Sequence, residues 1–272
     1  MFAREIRLFF TAWTFFTRVP LPAALAGWVG YSEDLMNRAA RYFPLVGLWV
    51  GLVAAAVFTF AMWLFTPLVA VALAMVATVL MTGAFHEDGF ADVCDGFGGA
   101  SDPARVLVIM KDPRVGAFGA IGIALMLLTK FAALLSLAEG TDIELCAWIL
   151  LLGHTLSRAA PVALIRWLDY VRPEPDAKSK PMAQAVSLPG LIVALFWGMV
   201  PLGGVVYEYE NGWLLVAGVI PVALATLALG LWFRRRISGY TGDCLGATQQ
   251  VAEVVFYLYA VAVLAPPPSG SV

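Results

Sequence analysis

Three observations predict an all-α, polytopic membrane protein of about seven transmembrane helices, with six to eight as the limits. Hydrophobic residues make up 61% of the 272 positions and charged residues only 13%, against about 25% charged in an average soluble domain. Apolar runs close to the ~20 residues needed to cross hydrocarbon recur along the chain. Lys and Arg cluster in alternate connections between those runs. The chain, 1–272, reads as one membrane-embedded domain.

Residues 1–41 place Leu8-Phe9-Phe10, Trp13, Phe15 and Phe16 beside Arg4, Arg7 and Arg18. This aromatic, basic stretch is too short to span and predicts an interfacial helix or a re-entrant piece that anchors the chain. A first span is expected at about 43–65, and Thr66-Pro67 breaks it. A second, at about 67–85, returns at once, so the two form a helical hairpin and residues 41 and 86 share one side. A polar segment, 86–114, follows. Further spans are expected at about 115–138, 143–167, 186–206, 213–233 and 248–265. The polar stretch 168–184 reads as extended, and the tail after Pro266 as short and polar.

The charges set the orientation. Of 17 Lys and Arg, five lie in 1–41, three in 86–114, four in 166–180 and three at 234–236, while Lys130 and Arg158 lie inside spans. The turns 139–142 and 207–212 hold none. Alternating the spans gathers every basic segment on one side, which the positive-inside rule assigns to the cytoplasm, with the N-terminus. The expected location is the inner (cytoplasmic) membrane, crossed many times. Three cysteines, Cys94, Cys146 and Cys244, form no CxxC pair and suggest neither a disulfide framework nor a zinc site. No cleavable signal peptide stands out, so the spans themselves would direct insertion. A net charge of −2 and the lack of a basic, aromatic-interleaved patch argue against nucleic acid.

The acids are concentrated in His86-Glu87-Asp88-Gly89-Phe90-Ala91-Asp92-Val93-Cys94-Asp95-Gly96. On a helix Asp88, Asp92 and Asp95, at i, i+4 and i+7, share one face. Like charges so grouped repel unless a cation joins them, and hard oxygen ligands suit Mg²⁺, with Mn²⁺ an alternative, held together with substrate phosphates. A merely solvating loop would mix its signs. Lys111 and Arg114 flank Asp112 and are candidate phosphate clamps, although both also serve as positive-inside anchors. A second Gly-rich loop, Tyr240-Thr241-Gly242-Asp243-Cys244-Leu245-Gly246, lies on the same side and leads to Gln249, Gln250 and Glu253. Glu253 falls inside a span, where a carboxylate signals function or a buried network. His154 and Arg158, at i, i+4 in the fourth span, should face the bundle interior. Arg158 is a candidate partner for phosphate or for the acids, and His154 reads as a hydrogen-bonded interior residue. Lys130 would snorkel or pair with an acid, and Arg234-Arg235-Arg236 reads as a stop-transfer cluster. No Ser/His/Asp order, Walker A loop, GxGxxG or HExxH is present.

Several stretches together resemble the cobalamin synthase family, the adenosylcobinamide-GDP ribazoletransferases of bacteria and archaea. They are Gly83 to Gly96, Met110-Lys111-Asp112-Pro113-Arg114-Val115-Gly116-Ala117-Phe118-Gly119, and Gly239 to Ala247 with Glu253. Phe15-Phe16-Thr17-Arg18-Val19-Pro20 and Arg41-Tyr42-Phe43-Pro44-Leu45-Val46-Gly47 are similar as well. The resemblance implies an Mg²⁺-dependent phosphotransferase. Such an enzyme would join the activated cobinamide phosphate of adenosylcobinamide-GDP to α-ribazole or its 5′-phosphate, releasing GMP and adenosylcobalamin or its 5′-phosphate. On that reading 86–114 is the acidic active-site segment facing the cytoplasm. Asp88, Asp92, Asp95 and Asp243 carry the chemistry, with Asp112 and Glu87 as further metal ligands. Lys111, Arg114 and Arg158 would neutralise phosphate, with Glu253 and His86 in support. The partners implied are the two substrates and the lipid bilayer, with room for a homo-oligomer or a complex with other enzymes of cobalamin assembly. Three rivals stand beside it. A CDP-alcohol phosphotransferase would show Asp-Gly-x-x-Ala-Arg, and a carboxylate-rich prenyltransferase would show a second Asp-rich repeat. A cation transporter would show inverted repeats.

Overall fold

The computed structural model describes residues 2–30, 32–171 and 183–264. Most of the expected polar stretch 168–184, with Arg172, Glu174, Asp176, Lys178 and Lys180, and the tail from 265 lie outside the described residues. The N-terminal segment forms three short helices, α1 (Phe2–Phe16), α2 (Ala23–Val29) and α3 (Glu33–Ala39). Ser32 starts α3 by accepting the Leu35 amide. A 3₁₀ turn, Ala40–Tyr42, then runs into α4 (Phe43–Met62). Next come α5 (Pro67–Thr82), α6 (Phe85–Gly99), α7 (Pro103–Ile109), α8 (Ala117–Gly140) and α9 (Ile143–Trp167). The chain closes with α10 (Leu188–Glu208), α11 (Trp213–Ala217), α12 (Val219–Ile237) and α13 (Gly242–Leu264). Asp102, Asp142 and Ser187 cap α7, α9 and α10 through their side-chain oxygens.

Among the described residues six helices are long and apolar enough to cross a membrane, or seven if the bent pair α5–α6 is one span. This agrees with the predicted count. The spans at 143–167 and 186–206 fall within two residues of α9 and α10. Two details differ. The seventh span starts at Gly242 rather than 248, so the expected Gly-rich loop is the first turn of a helix. There Thr241 Oγ1 accepts the Cys244 amide at 3.4 Å, and an acid in the first turn suits the positive helix end. The sixth run is interrupted at Gly218, between α11 and α12.

α9 is the mast of the bundle. Of its apolar window 89% is buried, against 28% for α8. Lipid gives no hydrophobic reward for bringing helices together, so close approach relies on small residues. On α4, Gly47 abuts the His154 carbonyl and Gly51 the Leu151 backbone, and a β-carbon at Gly51 would stand 2.8 Å from Leu151 Cα. Outward faces carry Leu125, Leu128, Ile220 and Leu224, all exposed as lipid requires.

The described parts of the basic segments meet at one end of this bundle. Arg18 donates its amide to the Met81 carbonyl at 2.7 Å, Asn37 accepts the Gln184 amide, and Arg236 reaches the Phe97 carbonyl at 3.0 Å. A short bridge adds to this end, in which Tyr240 bonds both Asp169 and Val171 through its backbone. At the opposite end the two turns without Lys or Arg are joined by Tyr209 Oη donating to Asp142 at 3.2 Å.

Candidate active site

The site is made by a bend. Gly83 (φ 67°) and Ala84 (φ 56°) are both left-handed, and the chain turns 88° between α5 and α6. Gly83 has the Arg18 side chain against it, so a β-carbon there would meet both a forbidden φ and a guanidinium stem. Turned aside in this way, α6 runs across the polar end of the bundle and touches the first turns of α8 and α13 and the last turns of α12.

α6 meets α13 where both lack side chains. A β-carbon on Gly89 would lie 3.0 Å from Asp243 Cα, and one on Gly246 would lie 3.1 Å from the His86 carbonyl. This contact brings Asp88 and Asp92 of α6 alongside Asp243 in the first turn of α13. Asp92 is half-buried, and the charges acting on it are Asp243, Asp88 and Asp95, all acidic. Asp88 is exposed. Two helices therefore present carboxylates to a common space beside a helix N-terminus.

The other predicted residues have definite posts. Asp95 accepts the Gly116 and Gly119 amides, each at 2.7 Å, so both its oxygens cap α8. Glu87 is turned into the bundle, where Oε1 accepts from Gln250 at 3.0 Å. Asp112 and Arg114 pair with each other at 2.6 Å, with the guanidinium largely in solvent. That pairing lowers the Asp112 carboxyl to about 2. Lys111 is exposed on the same turn. His86 is buried and stacks on Phe16 at 5.3 Å. Arg158 is buried behind it, with Nη1 donating to the His154 carbonyl at 2.9 Å and Nε unpartnered. Glu253 pairs with Lys130 at 3.1 Å.

The structure thus gathers Asp88, Asp92 and Asp243. It gives Asp95, Glu87, Asp112, Arg158 and Glu253 partners inside the protein. Among the described residues no three His, Cys, Asp or Glu side chains form a ready metal cage. Mg²⁺ does not need one, since it keeps waters and takes one or two carboxylates together with substrate phosphate. Several residues do work that no sequence motif marks. Phe16 supports His86, and Arg236 holds the end of α6 through the Phe97 and Ala100 carbonyls and lies 4.9 Å from the Phe97 ring. Two glutamines within an apolar helix were the available signal for a buried network.

Fold and site together define a polytopic helical membrane protein with an acidic site at one end of its bundle. The cobalamin-5-phosphate synthase family model matches residues 8–262. A protein of Polaromonas sp. (strain JS666 / ATCC BAA-500) is 46% identical over 270 residues, covering 93% of this chain and 95% of that protein. One of Shewanella amazonensis is 47% identical over 262 residues, covering 94% and 95%. One of Vibrio cholerae serotype O1 is 41% identical over 261 residues, covering 96% and 95%. All three carry the name adenosylcobinamide-GDP ribazoletransferase. No solved structure matches the chain. The chain belongs to the cobalamin-5-phosphate synthase family, and it is an enzyme of the transferase class. This favours the first reading over the lipid phosphotransferase, prenyltransferase and transporter alternatives.

Proposed function

We propose that this protein transfers the cobinamide phosphate of adenosylcobinamide-GDP to a ribose hydroxyl of α-ribazole or its 5′-phosphate. The new P–O bond forms to the ribose oxygen, the P–O bond to GMP breaks, and GMP leaves. The observation that supports this most is the facing of Asp88 and Asp92 against Asp243 across the Gly89 contact, in a chain of this family. The donor set suits Mg²⁺, because a hard cation would compensate three grouped carboxylates, of which Asp92 has only acidic charges acting on it. Bound there, the cation would neutralise the pyrophosphate oxygens and the developing charge on the leaving GMP.

The residues of the chain do the rest. The start of α13 at Gly242 is a positive helix end suited to phosphate. Lys111 and Arg114 stand on an exposed turn, from which Arg114 could exchange Asp112 for a substrate phosphate. One of the three acids takes the proton of the attacking hydroxyl. Asp95 holds α8 in place from the same helix. By the positive-inside rule the acidic end faces the cytoplasm, in the inner membrane, where nucleotide substrates are available.

The direct test is Asp92→Asn in membranes, assayed for GMP release with both substrates across a range of Mg²⁺. Activity should fall by about 100-fold or more, as when a charge-stabilising group is lost. Near-normal turnover with intact Mg²⁺ dependence would remove the cluster from the mechanism.

A further inference from the structure

A buried circuit lies beneath the acidic site, and the transfer chemistry does not use it. Lys130 Nζ, on α8, donates to Gln250 Oε1 at 2.6 Å. Gln250 Nε2 donates to Gln249 Oε1 at 2.8 Å, and Gln249 Nε2 to Glu253 Oε2 at 2.6 Å. Glu253 Oε1 closes the ring on Lys130 at 3.1 Å. Gln249 also donates to Ser157 on α9 at 2.8 Å, and His154 Nδ1 lies 3.4 Å from Glu253 Oε2. Lys130, Gln249, Gln250 and Glu253 are each 5% exposed or less. Lys130 donates at both ends of the circuit and Glu253 accepts at both, so the two amides between them are oriented by their neighbours.

One bond leaves the circuit toward the site. The second Gln250 N–H goes to Glu87 Oε1 at 3.0 Å, and Glu87 is the residue next to Asp88 on α6. Adjacent helical residues point about 100° apart. Holding Glu87 inward therefore sets Asp88 and Asp92 outward, on the face toward Asp243. Without that hold, a roll of α6 would offer Glu87 to the site in place of Asp88.

We infer that Gln250 is a positioning residue, which fixes the roll of α6 by gripping Glu87 and so aligns the acidic cluster for its cation. The inference rests on the Mg²⁺ reading above for its activity readout only. Cys94 on α6 gives a second one. It is partly exposed, whereas Cys146 and Cys244 are buried, so a maleimide reports on α6.

The experiment makes Gln250→Met, which keeps shape and removes the hydrogen bonds, Glu87→Met, which cuts the same link from its other end, and the double variant. The expected result is Cys94 labelling about tenfold faster in each single variant. Half-saturating Mg²⁺ for GMP release should rise about tenfold, at the low end of what outer partners of metal ligands contribute. The rate at saturating Mg²⁺ should stay within about threefold, and the double variant should be no worse than either single one. Should Gln250→Met fail to accumulate in membranes, Gln250→Ser, polar but too short to reach Glu87, replaces it. Wild-type labelling in the single variants, or effects that add in the double variant, would overturn the inference. Asp92→Asn that kept full Mg²⁺-dependent activity would instead overturn the Mg²⁺ reading, and the Cys94 labelling would still decide the role of Gln250.

Discussion

Asp92 and Asp95 are three residues apart on one helix, yet they have different work. Asp95 spends both oxygens on α8 amides, whereas Asp92 faces other acids. Asp95→Asn keeps one acceptor and loses the other, which should cost about 1–3 kcal/mol. We expect a lower unfolding temperature in detergent, with half-saturating Mg²⁺ close to wild type. The reverse pattern is expected for Asp92→Asn. The Asp112–Arg114 pair has its own pH signature. Its carboxyl is lowered to about 2, so the pair is fully present above the ordinary carboxylate range, near pH 4, and weakens only as pH falls toward 2. A loss of activity between pH 6 and 5 would therefore arise elsewhere, and it should be unchanged in Asp112→Asn. Spacing alone placed Asp88, Asp92 and Asp95 on one face. It could not assign Asp95 to a helix cap, because the amides it binds lie more than 20 residues away.

At the level of elements, the α6–α13 crossing decides whether the acids meet. Gly89→Ala would press a methyl group against the Asp243 backbone. Backbone yields less readily than a side-chain tip, so α6 should lift from α13. We expect GMP release to fall about tenfold or more, as small misplacements of reacting groups do. Gly203→Ala on α10, where a β-carbon meets nothing within 4 Å, is the matched control. Helix types and most boundaries were legible because hydropathy reports burial in lipid directly. The start of α13 was not, since Gly242 and Gly246 read as loop-formers. Gly246 instead lets α6 come close, with the His86 carbonyl 3.1 Å from where a β-carbon would stand. The 88° bend was hidden for a similar reason. One of its two left-handed residues is Ala84, which carries no turn signature.

For the whole molecule, alternating charge predicted that all basic connections share one side, and their described parts do converge at one end of the bundle. A thiol probe that cannot cross the membrane should label Cys94 in inside-out vesicles. In the same vesicles a cysteine placed at Tyr207, which is 87% exposed, should be silent, and right-side-out vesicles should reverse the pattern. Labelling of both from one side would refute the orientation.

The pairing of Lys130 with the last helix also constrains how the protein is made. Its partner Gln250 lies 120 residues further along the chain. At synthesis rates of about 5–20 residues per second, α8 enters the bilayer with its lysine uncompensated for roughly 6–24 s. A central Lys costs about 2.5–3.5 kcal/mol on insertion, and α8 offsets it, with a mean hydropathy of 2.1 even with the lysine included. Ribosome-bound chains stopped before α13 should therefore hold α8 loosely, and completion of α13 should lock it. The helix that delivers Asp243 is the one that neutralises Lys130, so the acidic site is completed only once α13 has been made.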